Sequence, residues 1–206
     1  MKKGVAALVL LLSAAAGSQA LAQQVQEGSW LVRVRAAHLD PANKSDPVGG
    51  VGASDRLTVE SRTIPEIDIS YFFTPNWAAE LVLTYPQKHR VYLDGADIGS
   101  FKHLPPTLTV QYHFAPEKTW SPYVGAGINY TRISSVNLLG GNADLESSSI
   151  GPALQAGIDY KLNNKWSLNL DVKKIYIRSD VNMAAGTISQ VKVDPLLIGV
   201  GIGYRF

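Results

Sequence analysis

From Trp30 onward the sequence repeats with a period of two. Trp30, Val32, Val34 and Ala36 fall on one side of an extended chain, and Arg33, Arg35 and Ala37 on the other. The same alternation recurs at residues 67–73, 77–85, 108–114, 124–130, 150–160, 166–172 and 196–206. Strict alternation of this kind marks strands with one apolar face, whereas an amphipathic helix would repeat every three to four residues. Eight such segments, each approaching the roughly 9–11 residues of a tilted membrane strand, predict an all-β chain.

The connections alternate as well. Thr74-Pro75-Asn76 is a tight turn, and residues 115–121 and 161–165 are short links. Between them lie long connections at about 40–55, 86–104, 134–148 and 179–190. An even strand count with alternating short and long links predicts an eight-stranded antiparallel transmembrane β-barrel. Its short turns would be periplasmic and its four longer loops extracellular. Rings at Trp30, Tyr71, Phe73, Trp77, Tyr85, Tyr112, Phe114, Trp166, Tyr204 and Phe206 sit at the ends of the apolar faces. Interfacial girdles place amphipathic rings there.

Alternation alone does not say which face meets lipid, because a soluble sandwich or lipocalin-like barrel swaps inside for outside. Three features decide for lipid. The minority face carries Gly and small polar residues, while ten or more rings would overfill a soluble core. The same face mixes signs, with Arg33, Arg35, Lys173 and Arg205 beside Glu66, Asp68, Glu80, Asp159 and Asp171. Turned to lipid, each Arg near the midplane would cost roughly 2–4 kcal/mol. Finally, an alternating C-terminal segment ending in Phe206 suits a barrel closed by its last strand, so Phe206 is expected to serve assembly. Eight strands enclose a lumen just wide enough for side chains, which excludes a wide aqueous pore.

Residues 1–22 read as an export signal and 23–206 as the barrel domain. Lys2 and Lys3 precede an apolar stretch over residues 4–16, and Ala20-Leu21-Ala22 fits a small-x-small cleavage site. Losing those two lysines takes Lys+Arg from 19 to parity with the 17 Asp+Glu. Parity argues against a nucleic-acid binder, which needs a basic excess. A mean hydropathy of +0.01 is too low for a helical polytopic membrane protein. With no cysteine, disulfides and thiolate metal sites are impossible.

Within this pattern Thr74-Pro75-Asn76-Trp77-Ala78-Ala79-Glu80-Leu81, His103-Leu104-Pro105-Pro106-Thr107-Leu108, the run Pro122 to Tyr130, Gly157-Ile158-Asp159-Tyr160 and the terminal Gly203-Tyr204-Arg205-Phe206 occur in order. In these blocks, over nearly the whole mature chain, the sequence resembles the OmpW family of eight-stranded outer-membrane proteins, AlkL-type relatives included. The resemblance implies a monomeric barrel in the bacterial outer membrane, contacting outer-membrane lipid and delivered by the outer-membrane insertion machinery. It also implies a narrow, partly apolar channel for passive passage of small hydrophobic molecules, with release sideways through the wall.

Arg33, Arg35, Glu66, Asp68, Glu80, Asp171 and Lys173 are expected in the lumen, as a salt-bridged plug or as a filter below an apolar mouth. Pro86, Pro105 and Pro106 flank the second long connection. They lack ladder donors, which reads as a lateral opening or as ordinary loop punctuation. Val48, Val51, Leu138, Leu139 and Met183 are candidates for the mouth. Lys174, Ile175 and Ile177 break the charged pattern of the seventh strand, which reads as a bulge or an emergence into the headgroups. Pro65, Pro152 and Pro195 sit in or beside strands.

An enzyme is not expected. His38 with Asp40 and Ser45 is the one conceivable catalytic group, and His89 with His103 would need further ligands to hold a metal. No cofactor is implied. The alternatives to a hydrophobic channel are a structural or adhesive surface barrel and a small ion-conducting porin.

Overall fold

The structure, a computed structural model, describes residues 29–184 and 186–206. The expected export signal lies outside the described residues. In chain order the strands are β1 (Trp30–Asp40), β2 (Lys44–Ser45), β3 (Leu57–Val59), β4 (Arg62–Phe72), β5 (Trp77–Leu83), β6 (Gln87–Leu93) and β7 (Ala96–Leu104). They continue as β8 (Thr107–His113), β9 (Trp120–Leu138), β10 (Asp144–Leu145), β11 (Ser148–Lys161), β12 (Trp166–Ile175), β13 (Arg178–Met183), β14 (Gly186–Lys192) and β15 (Leu196–Arg205).

Eight of these strands form a closed antiparallel barrel. The ring runs β1-β4-β5-β8-β9-β11-β12-β15 and returns to β1, where Leu31 faces Arg205 and Asp40 faces Leu196. Closure leaves no open edge, so backbone groups at membrane depth bond to a neighbouring strand. The last residue completes the seam, its N–H donating to the Trp30 carbonyl at 2.9 Å.

Turn chemistry fixes the lower end. Phe73 and Trp77 close the β4–β5 turn at 2.9 Å, and the Thr74 hydroxyl accepts from the Trp77 N–H at 3.0 Å. At the β11–β12 turn Asn163 Oδ1 accepts from both Lys165 and Trp166 N–H at 2.9 Å. Such side-chain acceptors stand in for ladder partners at tight reversals.

The outward residues are the apolar set: Val34, Ile67, Val110, Ile128, Leu154, Leu170, Ile198 and Val200 are each at least 45% exposed. Below them, ring pairs circle the periplasmic rim, with Trp30–Tyr71 at 4.8 Å, Trp77–Tyr112 at 5.0 Å, Trp120–Tyr160 at 4.6 Å and Trp166–Tyr204 at 4.8 Å. Tyr85 and Tyr130 stand on the outer surface above the belt.

The four long connections are built, not loose. β3, β6, β7 and the upper part of β9 extend the barrel sheet, and β10-β13-β14-β2 form a second, four-stranded sheet beside them. The main apolar core lies inside this extracellular extension and includes Leu39, Leu57, Ile64, Val91, Phe101, Ile133, Ile175, Ile177, Val181 and Val193.

The expected bulge at Lys174, Ile175 and Ile177 is corrected. β12 keeps unbroken register against both neighbours, from Asp171↔Gly157 to Ile175↔Ala153 and from Asp171↔Gly199 to Lys174↔Leu196. Parity is intact. What changes is the inward face, which passes from Asp171 and Lys173 to the buried Ile175 and Ile177.

An outward charge at mid-height tests this orientation. Ile198→Arg is expected to destabilise the barrel by about 2–4 kcal/mol in equilibrium urea unfolding from lipid vesicles, whereas Leu162→Arg, in a periplasmic turn, is expected to cost less than about 1 kcal/mol.

Candidate functional site

The lower lumen is filled by a charge cluster whose geometry follows from register. β1 places Arg33 and Arg35 directly across from Asp68 and Glu66 of β4 and from Gly203 and Gly201 of β15. The glycines leave the space that the guanidinium stems occupy. A Cβ at Gly201 would stand 2.1 Å from the Val34 carbonyl and 2.8 Å from Arg35 Cγ.

Arg33 engages Asp159 through two bonds, Nη2–Oδ2 at 2.7 Å and Nε–Oδ1 at 3.2 Å, and reaches Glu80 at 2.9 Å. Arg35 Nη1 lies 3.0 Å from Glu66 and 2.8 Å from Asp68, while its Nε donates to Asn169 at 2.6 Å. Lys173 Nζ is 2.6 Å from Glu66 and 3.4 Å from Asp171. All seven residues expected in the lumen are therefore in one buried cluster.

Asp159, on the inward face in sequence but outside that set, proves to be the bidentate partner of Arg33. Neutral groups complete the cluster, and alternation by itself did not single them out. Gln155 Nε2 donates to Glu80 at 2.9 Å and to Asp171 at 2.7 Å, and the Tyr123 hydroxyl donates to Asp171 at 2.7 Å. Thr109 and Gln111 both donate to Gln155 Oε1, at 3.2 and 3.1 Å. Tyr123 crosses the lumen because β11 offers Gly157 opposite it, where a Cβ would meet the phenol at 2.4 Å. Such pairing and hydrogen bonding offset the desolvation of charges, and a buried cluster of this kind is a better device for specificity than for stability.

One step higher the lumen turns apolar on the side formed by β1, β4, β12 and β15, while Gln87, His103, Thr107 and Thr131 keep the other side polar. Arg35↔Glu66 gives way to Ala37↔Ile64, Lys173 to Ile175, and Thr131 to Ile133. Above lies a cavity of about 40 Å³ lined by Leu57, Val59, Val91, Phe101, Ile133, Leu138, Ile177 and Val193, with His103, Thr131 and Ser179 among the few polar walls. An apolar cavity that takes up benzene measures about 150 Å³, so a ring-sized guest needs the extension to part. Val48, Leu138 and Leu139 border this cavity as expected for the mouth; Val51 and Met183 instead lie on the surface.

His103 and His89 stack at 4.6 Å between ring centroids. His89 Nδ1 lies 2.9 Å from the Glu60 carbonyl and so carries the proton it donates. Burial, and then the neighbouring His89, lower the His103 pKa from its ordinary value to about 3. His89 is lowered too, chiefly by burial. Among the described residues no third His, Cys, Asp or Glu joins them in a group able to hold a metal ion. His38 faces outward and bonds the Thr63 hydroxyl at 3.1 Å, while the Ser45 hydroxyl is buried and accepts from the Leu57 N–H at 3.2 Å, so the conceivable catalytic group is not assembled.

The three prolines meet at one joint. The β5–β8 ladder runs from Trp77↔Tyr112 to Val82↔Thr107, and β6–β7 resumes at Gln87↔His103. Between them four residues oppose three, and Pro86, Pro105 and Pro106 lack donors. Side chains cover carbonyls at the joint: Asn129 Nδ2 donates to Pro105 O at 3.1 Å and Gln87 Nε2 to Tyr85 O at 2.9 Å, while Pro106 O accepts from both Asn129 Nδ2 at 3.1 Å and the Tyr130 N–H at 3.0 Å.

Pro65 adds to the same place. Phe73 N–H donates across to Trp77 O, so the odd residues of β4 donate toward β5. Pro65 cannot, and the β4–β5 ladder stops at Ile67↔Leu83. Pro152 lies inside β11 opposite Ile128, and Pro195 immediately precedes β15.

The sequence pattern of the OmpW family matches residues 26–206. The chain is 35% identical to Outer membrane protein W of Vibrio cholerae, over 100% of both chains. It is 30% identical to the dibenzothiophene metabolism operon protein PahQ of Pseudomonas aeruginosa, over 78% of this chain and 76% of that one. Among solved structures it resembles the outer membrane protein OprG from Pseudomonas aeruginosa, with a TM-score of 0.77 and 29% identity over 88% of this chain and 97% of that one.

Two outcomes are expected. Arg35→Leu takes the close cation from Asp68 and one of two cations from Glu66 and Asp171, and should cost about 3–5 kcal/mol in equilibrium unfolding. For the histidines, a lowered folded pKa means stability that is complete above the unfolded value of about 6.5 and is lost as pH falls toward the folded value. The protection factors of amides in β6 and β7, taken relative to intrinsic exchange at each pH, should therefore fall between about pH 6.5 and about pH 4, and His89→Gln/His103→Gln should flatten that dependence.

Proposed function

The chain belongs to the OmpW family of outer-membrane proteins, and we propose from that premise that it carries small hydrophobic molecules passively across the outer leaflet and releases them sideways into the membrane. The solute would enter the apolar extension, stop at the charged floor, and leave through the wall at the proline joint. The observation that carries this reading is a coincidence of height. Carrying the β4–β5 register beyond Ile67↔Leu83 sets Pro86 opposite Ile64, the residue at which the inward face turns apolar after Glu66.

Each part has a physical rationale. An apolar solute gains by leaving water for the extension, and nothing in the floor offers it equal surroundings. A wall with missing ladder bonds opens at lower cost than a complete one. The name of PahQ attaches that relative to dibenzothiophene metabolism, and dibenzothiophene is an apolar polycyclic of the class proposed.

Because the chain has no native cysteine, a tether across the joint is a clean test. Cysteines at Thr84 and Pro105 continue the Val82↔Thr107 register. Cells making the wild-type protein should accumulate an apolar fluorescent tracer faster than cells without it. The oxidised tether should abolish the gain, and reductant should restore it. Equal uptake with and without the protein would remove the transport reading; an active oxidised tether would remove only the lateral path.

A further inference from the structure

Above the lipid belt, one outward strip of the extension carries cations without carboxylate partners. β6 and β7 alternate, sending Gln87, His89, Phe101 and His103 inward and Lys88 and Lys102 outward. Lys88 and Lys102 are direct cross-strand partners, and Lys102 in turn faces Ser134 of β9. Arg132 lies two residues below Ser134 on the same face, opposite Ser148 of β11. From the top of β4, Arg62 Nη1 donates to the Lys88 carbonyl. All four cations are exposed.

Most other outward cations of the extension are matched, Lys44 of β2 being the exception among the described residues. Arg90 lies 3.1 Å from Asp97, Lys192 2.8 Å from Asp46, and Arg178 3.7 Å from Asp194. Among the described residues, no carboxylate is within ion-pair distance of Arg62, Lys88, Lys102 or Arg132. Like charges directly opposite on a sheet repel, so the Lys88–Lys102 pair is unfavourable unless an anion lies across it.

The strip's depth indicates what that anion is attached to. The next outward residues below it are Tyr130 and Ile128 on β9 and Tyr85 beside β6, all exposed to the membrane side. Neighbouring strands are about 4.8 Å apart, so β4, β6, β7 and β9 bring the four cations onto one patch about 14 Å wide. We propose that Arg62, Lys88, Lys102 and Arg132 form a binding site for the phosphate of a phosphorylated outer-leaflet lipid. Arg offers a fork of donors and Lys a mobile point charge to the phosphate oxygens. The lipid's acyl chains lie along the apolar belt below, a second attachment that a free phosphate lacks. The site does not depend on the transport reading.

The test uses the full-length barrel reconstituted in phosphatidylcholine vesicles containing either bisphosphorylated or fully dephosphorylated lipid A, with retained lipid counted by native mass spectrometry. Wild type should retain the phosphorylated form selectively. Arg62→Gln/Lys88→Gln/Lys102→Gln/Arg132→Gln should keep its heat-modifiable fold, since all four positions are exposed, and retain at least about tenfold less. Arg178→Gln/Lys192→Gln should behave as wild type. Undiminished retention by the fourfold variant, equal retention of dephosphorylated lipid, or equally tight binding of inorganic phosphate would each overturn the proposal.

Discussion

A β-sheet in hydrocarbon has nowhere to hide an unpaired backbone group, and each one left open costs several kcal/mol. The ring from β1 to β15 meets that demand by closing on itself, and the rest of the molecule follows. Once the ladder is closed, parity gives each side chain one of two solvents. Outward means lipid; inward means a lumen too narrow for bulk water. Val34 and Arg35, adjacent in sequence, therefore end in opposite environments.

The interior is then divided along its length. Low in the barrel, three cations and five carboxylates are knitted together by Gln155, Asn169 and Tyr123, with room made by Gly157 and Gly201. High in the barrel the same inward positions carry Ile64, Ile133, Ile175 and Leu197. On β1, β4 and β12 the boundary is crossed within one two-residue step, from Arg35, Glu66 and Lys173 to Ala37, Ile64 and Ile175, whereas β8 and β9 keep Thr107 and Thr131 on the inward face. At that boundary Pro65, Pro86, Pro105 and Pro106 withdraw ladder donors from adjoining strands, and Asn129 and Gln87 cover the exposed carbonyls. At this joint side-chain groups and the Tyr130 N–H on the Pro106 carbonyl take over from the missing ladder donors, while the β5–β8 ladder below is complete.

Much of this was legible in the sequence, because period two converts directly into two faces. The strand set, the orientation, the lumen charges and the short turns all follow from it. Two things did not. Ile175 and Ile177 interrupt the charged run of the inward face, which in sequence alone reads as a bulge or an emergence into the headgroups; in the fold they mark the floor of the apolar chamber. Tyr123, Gln155 and Asn169 gave no signal as network members, since a Tyr or an amide in an alternating strand is compatible with many environments. Their roles depend on cross-barrel distances between residues up to 134 positions apart. The long connections concealed strands for a related reason: stretches such as Arg178–Met183 are short, and they pair only within the folded extension.

The account turns on which face of each ribbon meets lipid, and a cysteine-free chain allows that to be read directly. Single spin labels placed in turn along Trp166–Ile175 of β12, in the protein reconstituted in lipid bilayers, report contact with oxygen dissolved in the acyl region. High oxygen collision rates at positions 168, 170 and 172, with low rates at 167, 169 and 171, are the result the account predicts. The opposite alternation, or no alternation at all, would contradict it.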